Sequence, residues 1–165
     1  MIRHINSNRI HFKLLRLLYR WAPFQLKGSL NITNVKPAKP IISCTIIASN
    51  RPKELDDLLW DLAHQTLPKG QYEVVVLNDG MGDVIKSVVD KYRNIFILKY
   101  AENASPVRIL SNLRNASFEL SCGEYVLILD DDTRILQPDF LEKAMRILKD
   151  HGPDAIMPRA QALYG

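Results

Sequence analysis

The sequence predicts an α/β protein with a mostly parallel sheet that is covered by helices. Two observations support this prediction. Short apolar, β-branched segments alternate along the chain with segments in which apolar residues recur at helical spacing. The strand segments are apolar at nearly every position, which is typical of parallel strands buried on both faces. The chain has 165 residues, 47% hydrophobic and 24% charged, and this ordinary composition excludes a collagen-like or wholly disordered protein.

The first half of this body alternates strand, helix, strand and helix. The apolar run at 41–48 predicts the first strand, and Pro52 fits the first turn of a helix, where no N–H is needed. This helix has leucines at helical spacing (Leu55, Leu58, Leu59 and Leu62). The run YEVVVLN at 72–78 predicts the second strand, and a helix with inward-facing valines follows at 83–92.

The second half of the body continues the same alternation. IFILKY at 95–100 predicts a third strand, and 106–119 has helical spacing. EYVLIL at 124–129 predicts a fourth strand, which ends at three aspartates. The next helix is predicted from apolar residues at helical spacing (Phe140, Leu141, Ala144, Ile147 and Leu148). AIMP at 155–158 predicts the start of a fifth strand.

Polar residues follow three of these strands, at Asn50-Arg51, at 78–80 and at 130–132. Right-handed crossovers place the C-terminal ends of parallel strands at one edge of the sheet. Open α/β sheets bind their ligands at that edge. We therefore expect these residues to converge on one crevice.

The triple aspartate is the strongest candidate for chemistry. Residues two apart in an extended chain point to the same side, so Asp130 and Asp132 share a face and Asp131 points away. Their mutual repulsion would be relieved by a divalent cation, and oxygen ligands suit Mg²⁺ or Mn²⁺, which complete their shells with water and substrate phosphates. The alternative is a solvated acidic loop before the next helix, with Thr133 or Asp139 as N-cap.

Asp79 has two interpretations that position alone leaves open. Asn-Asp-Gly at 78–80 is a strong turn former, so the aspartate could serve the turn. At the C-terminal end of a strand it could instead accept a hydrogen bond from a nucleobase or ribose.

Charge is distributed unevenly along the chain. Ten of the 22 Lys and Arg residues lie in 1–53, which has no Asp or Glu, whereas all 18 acids lie beyond it. Residues 1–26 are predicted to form a basic arm. Within it, segment 8–21 is predicted to be an amphipathic helix with Trp21 on its apolar face. This helix either contacts an anionic membrane surface or packs on the body. No nucleic-acid-binding module accompanies it, and 27–40, ending in KPAKP, predicts a linker.

The cysteine content and the lengths of the apolar runs favour a cytoplasmic protein. Two cysteines, Cys44 and Cys122, are too few for a disulfide framework and indicate intracellular thiols with largely buried side chains. No apolar run approaches the roughly 20 residues that span a bilayer, and the N-terminus lacks the pattern of a signal peptide. The four histidines are scattered, so no zinc site is expected.

Taken together, the motifs resemble those of the family 2 glycosyltransferases, which have the Rossmann-like GT-A fold with helices on both faces. The resemblance rests on IIASNRP, Gln65-Thr66, YEVVVLNDG-x-x-D, LRN, GEYVLILDDDT and PDFL, in this order from about Ser43 to about Met157. It implies a nucleotide-sugar-binding domain over 41–165. In this family a further, acceptor-binding half supplies the catalytic base, which is expected beyond Gly165.

The resemblance also implies roles for individual residues. Asp130 and Asp132 match the D-x-D motif, which holds a divalent metal (Mn²⁺ or Mg²⁺) and the sugar diphosphate. Asp79 matches the aspartate that contacts the base, usually uracil, so a UDP-sugar is expected. The remaining expected nucleotide-sugar contacts are Ser49, Asn50, Arg51, Arg114, Asn115 and Asp131. For Arg114 the alternative is a surface ion pair with Glu119 or Glu102.

The implied reaction is metal-dependent transfer of a sugar from a nucleotide diphosphate sugar to an acceptor hydroxyl, with inversion. The acceptor is expected to be a glycan or a lipid-linked molecule, as in polysaccharide or cell-surface glycan biosynthesis. Residues 8–21 are expected to make peripheral contact with the cytoplasmic membrane face.

Asn78 departs from the family pattern, since an aspartate is usual there. The alternatives are a non-catalytic nucleotide-binding or scaffold module, or another nucleotide-dependent transferase. A Gly-rich phosphate loop, which a nucleotidyltransferase would show, is absent from NRPKEL.

Overall fold

The computed structural model describes residues 14, 17, 24–28, 32–33, 39–80, 82–105, 108–153 and 155–158. The predicted amphipathic helix at 8–21 lies outside these residues except for Leu14 and Leu17, which are helical and exposed. In the part of the chain that is described, no helix is both long and apolar enough to cross a bilayer.

In the part of the chain that the structure describes, five strands form one sheet in the order β1-β4-β3-β2-β5. The strands are β1 (Leu26–Lys27), β2 (Ile42–Ala48), β3 (Tyr72–Asn78), β4 (Ile97–Asn103) and β5 (Tyr125–Asp130). All pairings among β2 to β5 are parallel, and β1 pairs antiparallel with β4. The parallel sheet predicted from the alternation is confirmed.

Within the described residues, four helices pack on this sheet, and they lie on both of its faces. They are α1 (Pro52–Ala63), α2 (Val84–Asp90), α3 (Leu110–Leu120) and α4 (Phe140–His151). The leucines of α1, the apolar side of α2 and Leu141 of α4 share one core with Ile46 and Val76 of the sheet. On the opposite face, Leu113 of α3 packs with Leu77 and Ala101. Each fully buried leucine contributes about 1.5–3 kcal/mol, so burial of the predicted apolar face explains why α1 is held on the sheet.

One prediction about strands is wrong. Residues 155–158 are exposed and have no strand structure. The fifth strand is instead β1, which pairs Leu26 with Asn103 and Lys27 with Glu102. The outer edge of β4 has free backbone groups, and this short strand satisfies some of them.

The segment predicted as a linker is also partly packed. Ile32 is buried and its N–H donates to the carbonyl of Leu98 at 3.2 Å. Thr33 Oγ1 donates to the carbonyl of Phe96 at 2.9 Å. The described residues between 24 and 33 therefore follow the edge of the sheet rather than forming a free connection.

The strand order reverses at β2, which has β3 on one side and β5 on the other. Reversals of this kind open a crevice beyond the C-terminal ends of the two strands, because their connections leave in opposite directions. The fold therefore places a crevice between the loop after β2 and the end of β5.

Candidate functional site

Three loops meet at the crevice beyond β2, β3 and β5. Ser49 and Arg51 lie after β2, Asp79 after β3, and the triple aspartate at the end of β5. The structure brings these predicted residues together, as the sheet topology required.

Asp131 joins two of these loops. Its side chain is buried, and its Oδ2 accepts a hydrogen bond from the backbone N–H of Ser49 at 3.0 Å. Arg51 Nη1 lies 3.4 Å from its Oδ1. Burial raises the pKa of Asp131, and the Ser49 N–H and the Arg51 guanidinium partly offset that rise. Asp131 thus points away from Asp130 and Asp132, and its contact with a nucleotide sugar stays a prediction.

Asp130 and Asp132 project outward, and each is paired with one arginine. Their side chains are 71% and 52% exposed. Arg51 Nη1 is 2.5 Å from Asp132 Oδ2, and Arg114 Nη2 reaches from α3 to within 3.1 Å of Asp130 Oδ1. Arg114 therefore contacts the triple aspartate rather than either glutamate considered from the sequence. Its neighbour Asn115 is exposed on α3.

Asp79 is held by residues that the sequence did not single out. Asn103, at the end of β4, donates from Nδ2 to Asp79 Oδ1 at 2.7 Å. The N–H of Ser105 donates to Asn103 Oδ1 at 2.9 Å, which orients the amide. Arg108 donates to the backbone carbonyl of Asp79. The shared edge of the parallel strands could have indicated Asn103, had the third strand been extended to residue 103.

Asn78 is buried and forms the turn that carries Asp79. Its Oδ1 accepts from the N–H of Gly80 at 2.7 Å, and its Nδ2 donates to Tyr100 Oη at 3.1 Å. A carboxylate could not make the second bond, since it has no proton to donate. A Cβ at Gly80 would lie 3.0 Å from Asn50 Oδ1, so this turn sits directly against the loop after β2. Asn50 has a positive φ of 56°, which asparagine tolerates better than most residues.

Residues near the end of α1 fix the segment that follows the triple aspartate. Gln65 Nε2 donates to the carbonyl of Gln137 at 3.0 Å, and Gln65 Oε1 accepts from the N–H of Leu141 at 3.1 Å. The N–H of Thr66 donates to the carbonyl of Pro138 at 2.7 Å. The Gln65-Thr66 motif therefore positions the start of α4.

A second anchor of this segment was missed from the sequence. Asp61, buried on α1, accepts hydrogen bonds from Arg134 Nε at 2.7 Å, from Arg134 Nη2 at 2.9 Å and from the N–H of Ile135 at 2.9 Å. A bidentate Arg–carboxylate pair is directional, so it restricts the backbone that follows Asp132. Asp139 lies at the N-cap position of α4, but its side chain makes no capping hydrogen bond.

Comparison with known proteins identifies the family. The family model described as "Glycosyl transferase family 2" matches residues 43–163. The chain belongs to glycosyl transferase family 2. Poly(ribitol-phosphate) beta-N-acetylglucosaminyltransferase TarS of Staphylococcus aureus is 31% identical over 116 residues, covering 70% of this chain and 20% of TarS. Validoxylamine A glucosyltransferase of Streptomyces hygroscopicus subsp. limoneus is 32% identical over 91 residues, covering 55% of this chain and 20% of that protein.

Solved structures of similar proteins agree with this assignment to family 2. TarS 1–349 in complex with UDP-GlcNAc is 30% identical, with a TM-score of 0.62, over 67% of this chain and 32% of that one. Mannosyltransferase PcManGT from Pyrobaculum calidifontis, in complex with GDP-Man and Mn²⁺, is 24% identical with a TM-score of 0.61, over 87% of this chain and 42% of that one. The second likeness shows the GT-A fold alone. The chain spans about a fifth of the length of the TarS sequence that it matches.

The donor groups at the family 2 site fit a metal that is shared with a substrate. Within the ranges that the structure describes, no three His, Cys, Asp or Glu side chains are grouped to hold a metal by themselves. Asp130 ends β5, Asp132 lies in the turn that follows it, and both carboxylates are exposed. Mg²⁺ and Mn²⁺ accept one or two carboxylates when water and phosphate oxygens complete the shell. The carboxylates therefore fit a divalent ion bound together with a diphosphate.

Proposed function

We propose that this chain is the donor-binding part of a glycosyltransferase that transfers a sugar from a nucleotide diphosphate sugar to an acceptor hydroxyl. The observation that carries the proposal is the convergence of Arg51, Asp79, Asp130 and Asp132 at the strand-order reversal. Family 2 membership and relatives named as glycosyltransferases support it.

The nucleoside occupies the side of the crevice formed by Asp79 and the loop at Ser49 and Asn50. A carboxylate accepts the imide N–H of uracil, which adenine and cytosine lack at that edge. Asn103 supports this role because it already orients Asp79 through Oδ1. TarS is described in complex with UDP-GlcNAc and with UDP, which favours a UDP-sugar as the donor.

The diphosphate occupies the side formed by the end of β5, Arg51 and α3. Asp130 and Asp132 would hold a divalent metal there, with Arg114 and Asn115 beside the donor. When bound, such a metal neutralises negative charge on the departing diphosphate. The two guanidiniums orient phosphate oxygens through directional, charge-assisted hydrogen bonds.

Among the described residues, none is assigned as the base for the acceptor hydroxyl. A carboxylate base that deprotonates the acceptor hydroxyl, with inversion at the anomeric carbon, is expected from an acceptor-binding part of the full protein. The proposed acceptor is a glycan or a lipid-linked molecule. We place the protein in the cytoplasm, with residues 8–21 contacting the membrane surface.

Calorimetric titration tests the donor site directly. UDP, GDP and dTDP are titrated into the chain with and without Mn²⁺, and then into Asp132→Ala. Asp150→Ala is the matched control, because it removes an exposed carboxylate on α4. We expect Mn²⁺-dependent UDP binding that Asp132→Ala loses and Asp150→Ala retains. Equal Mn²⁺-dependent binding by both variants would refute the metal assignment, and binding of GDP alone would refute the assignment of uracil to Asp79.

A further inference from the structure

The two carboxylates proposed as metal ligands each have a guanidinium in contact. Arg51 Nη1 lies 2.5 Å from Asp132 Oδ2, and Arg114 Nη2 lies 3.1 Å from Asp130 Oδ1. The arginines come from different elements, the loop after β2 and helix α3. In the free chain the positions facing these two oxygens are therefore taken by arginine.

The charges of the cluster suggest how this arrangement responds to ligands. Three carboxylates and two guanidiniums leave one net negative charge. A divalent cation alone would turn the cluster positive beside two arginines, and a nucleotide diphosphate sugar alone would add about two negative charges beside three carboxylates. A cation and a diphosphate that arrive together leave the net charge unchanged.

We propose that Arg51 and Arg114 are exchangeable counter-ions that couple metal binding to diphosphate binding. Each guanidinium neutralises a metal-ligating carboxylate in the free chain and moves to a phosphate oxygen when the metal takes its place. This inference rests on the proposed function, and it adds an exchange of ion-pair partners to the phosphate contacts already proposed for Arg51 and Arg114.

The exposure of these pairs makes such an exchange feasible. The side chains of Arg51 and Arg114 are 53% and 35% exposed, and those of Asp132 and Asp130, the two carboxylates that would exchange them for a metal, are 52% and 71% exposed. Exposed ion pairs are weak because water screens them and long side chains lose entropy in forming them. The backbone around Arg51 is fixed by the Ser49–Asp131 hydrogen bond, so the side chain can exchange partners while the loop stays in place.

Titration with Mn²⁺, monitored by the electron paramagnetic resonance signal of the unbound ion, tests this coupling without requiring activity. The wild-type chain, Arg51→Ala, Arg114→Ala and Arg51→Lys are titrated with Mn²⁺, first alone and then with saturating UDP. Arg146→Ala is the matched control, since it removes an exposed arginine of an i,i+4 pair on α4. Circular dichroism melting curves verify that every variant is folded.

We expect UDP to raise the Mn²⁺ affinity of the wild type strongly. Each alanine variant should bind Mn²⁺ alone about five-fold more tightly, because a competing positive charge is gone, and its gain from UDP should shrink by a similar factor. Arg51→Lys should stay close to the wild type, and Arg146→Ala should match it. If Arg51→Ala and Arg114→Ala bind Mn²⁺ alone no more tightly than Arg146→Ala, the inference is overturned. If the wild type shows no joint binding of Mn²⁺ and UDP, the proposed function itself fails.

Discussion

Replacing Lys99 by methionine should destabilise the fold far more than the loss of an exposed positive charge such as that of Lys86. Lys99 Nζ lies 2.9 Å from Glu73 Oε2, and the Glu73 side chain is only 1% exposed. Glu73 Oε1 also accepts hydrogen bonds from Ser43 Oγ at 2.6 Å and from the N–H of Cys122 at 2.5 Å. Methionine keeps the length and packing of lysine but leaves the carboxylate without a counter-ion.

The structure sets the magnitude of this effect. Loss of one partner of a buried ion pair costs about 3–5 kcal/mol, and the two remaining hydrogen bonds to Glu73 place this case near 3 kcal/mol. For a chain of this size that corresponds to a fall in Tm of about 6–12 °C. The exposed pair of Lys86 with Asp90 on α2 gives the matched control, for which Lys86→Met should cost less than about 1 kcal/mol.

Urea denaturation, monitored by circular dichroism, gives the free energy of unfolding of both variants. The comparison requires that the two variants have the same m-value. The double variant Glu73→Gln/Lys99→Met removes both charges and should recover much of the lost free energy of unfolding, because no uncompensated charge stays buried. If Lys99→Met is no less stable than Lys86→Met, the buried pair does not hold these strands together and the reasoning is wrong.

Three further predictions concern the site. Gly80→Ala should weaken UDP binding in calorimetry, since its Cβ would lie 3.0 Å from Asn50 Oδ1 and 3.2 Å from the backbone N of Asn50 and would displace the loop after β2; unchanged UDP affinity would contradict this. Asn103→Ala should also weaken UDP binding, because Asp79 loses the amide that orients it, and equal affinity in both proteins would count against a role for that amide. Gln65→Ala should lower the free energy of unfolding by about 1–3 kcal/mol, since it removes the acceptor of the buried Leu141 N–H; a loss below about 0.5 kcal/mol would disprove that anchoring.

The regular part of the fold was predictable because the local pattern of apolar residues indicates which segments are buried. Strands β2, β3 and β5 and helix α1 match the predicted segments to within two residues at each end. Strand β4 extends to Asn103, beyond the predicted end at residue 100, since pairing with β1 and β3 outweighs its polar composition. Strand β1 has two residues, and its pairing depends on an edge that is distant in sequence.

The site was predictable to the extent that topology determines it. The strand ends placed Arg51, Asp79 and the triple aspartate at one edge, and the structure agrees. The partner of Arg114 was not predictable, because the orientation of α3 relative to β5 decides it. Cys122 was expected to be buried but is exposed, with its Sγ 3.0 Å from Lys99 Nζ.

The two ends of the sheet use the same ion-pair chemistry in opposite ways. At the N-terminal ends of the strands, Glu73 is buried and the side chain of Lys99 is only 12% exposed, and Lys99 also donates to the carbonyl of Leu120 at 2.6 Å. At the C-terminal ends, the pairs of Arg51 and Arg114 are exposed. Burial makes an ion pair costly to break, whereas exposure makes it weak and exchangeable. A ligand that competes for carboxylates should therefore rearrange ion pairs only at the C-terminal edge of the sheet. The buried pair holds the strands in place, so the separation of Asp79 from Asp132 should not change.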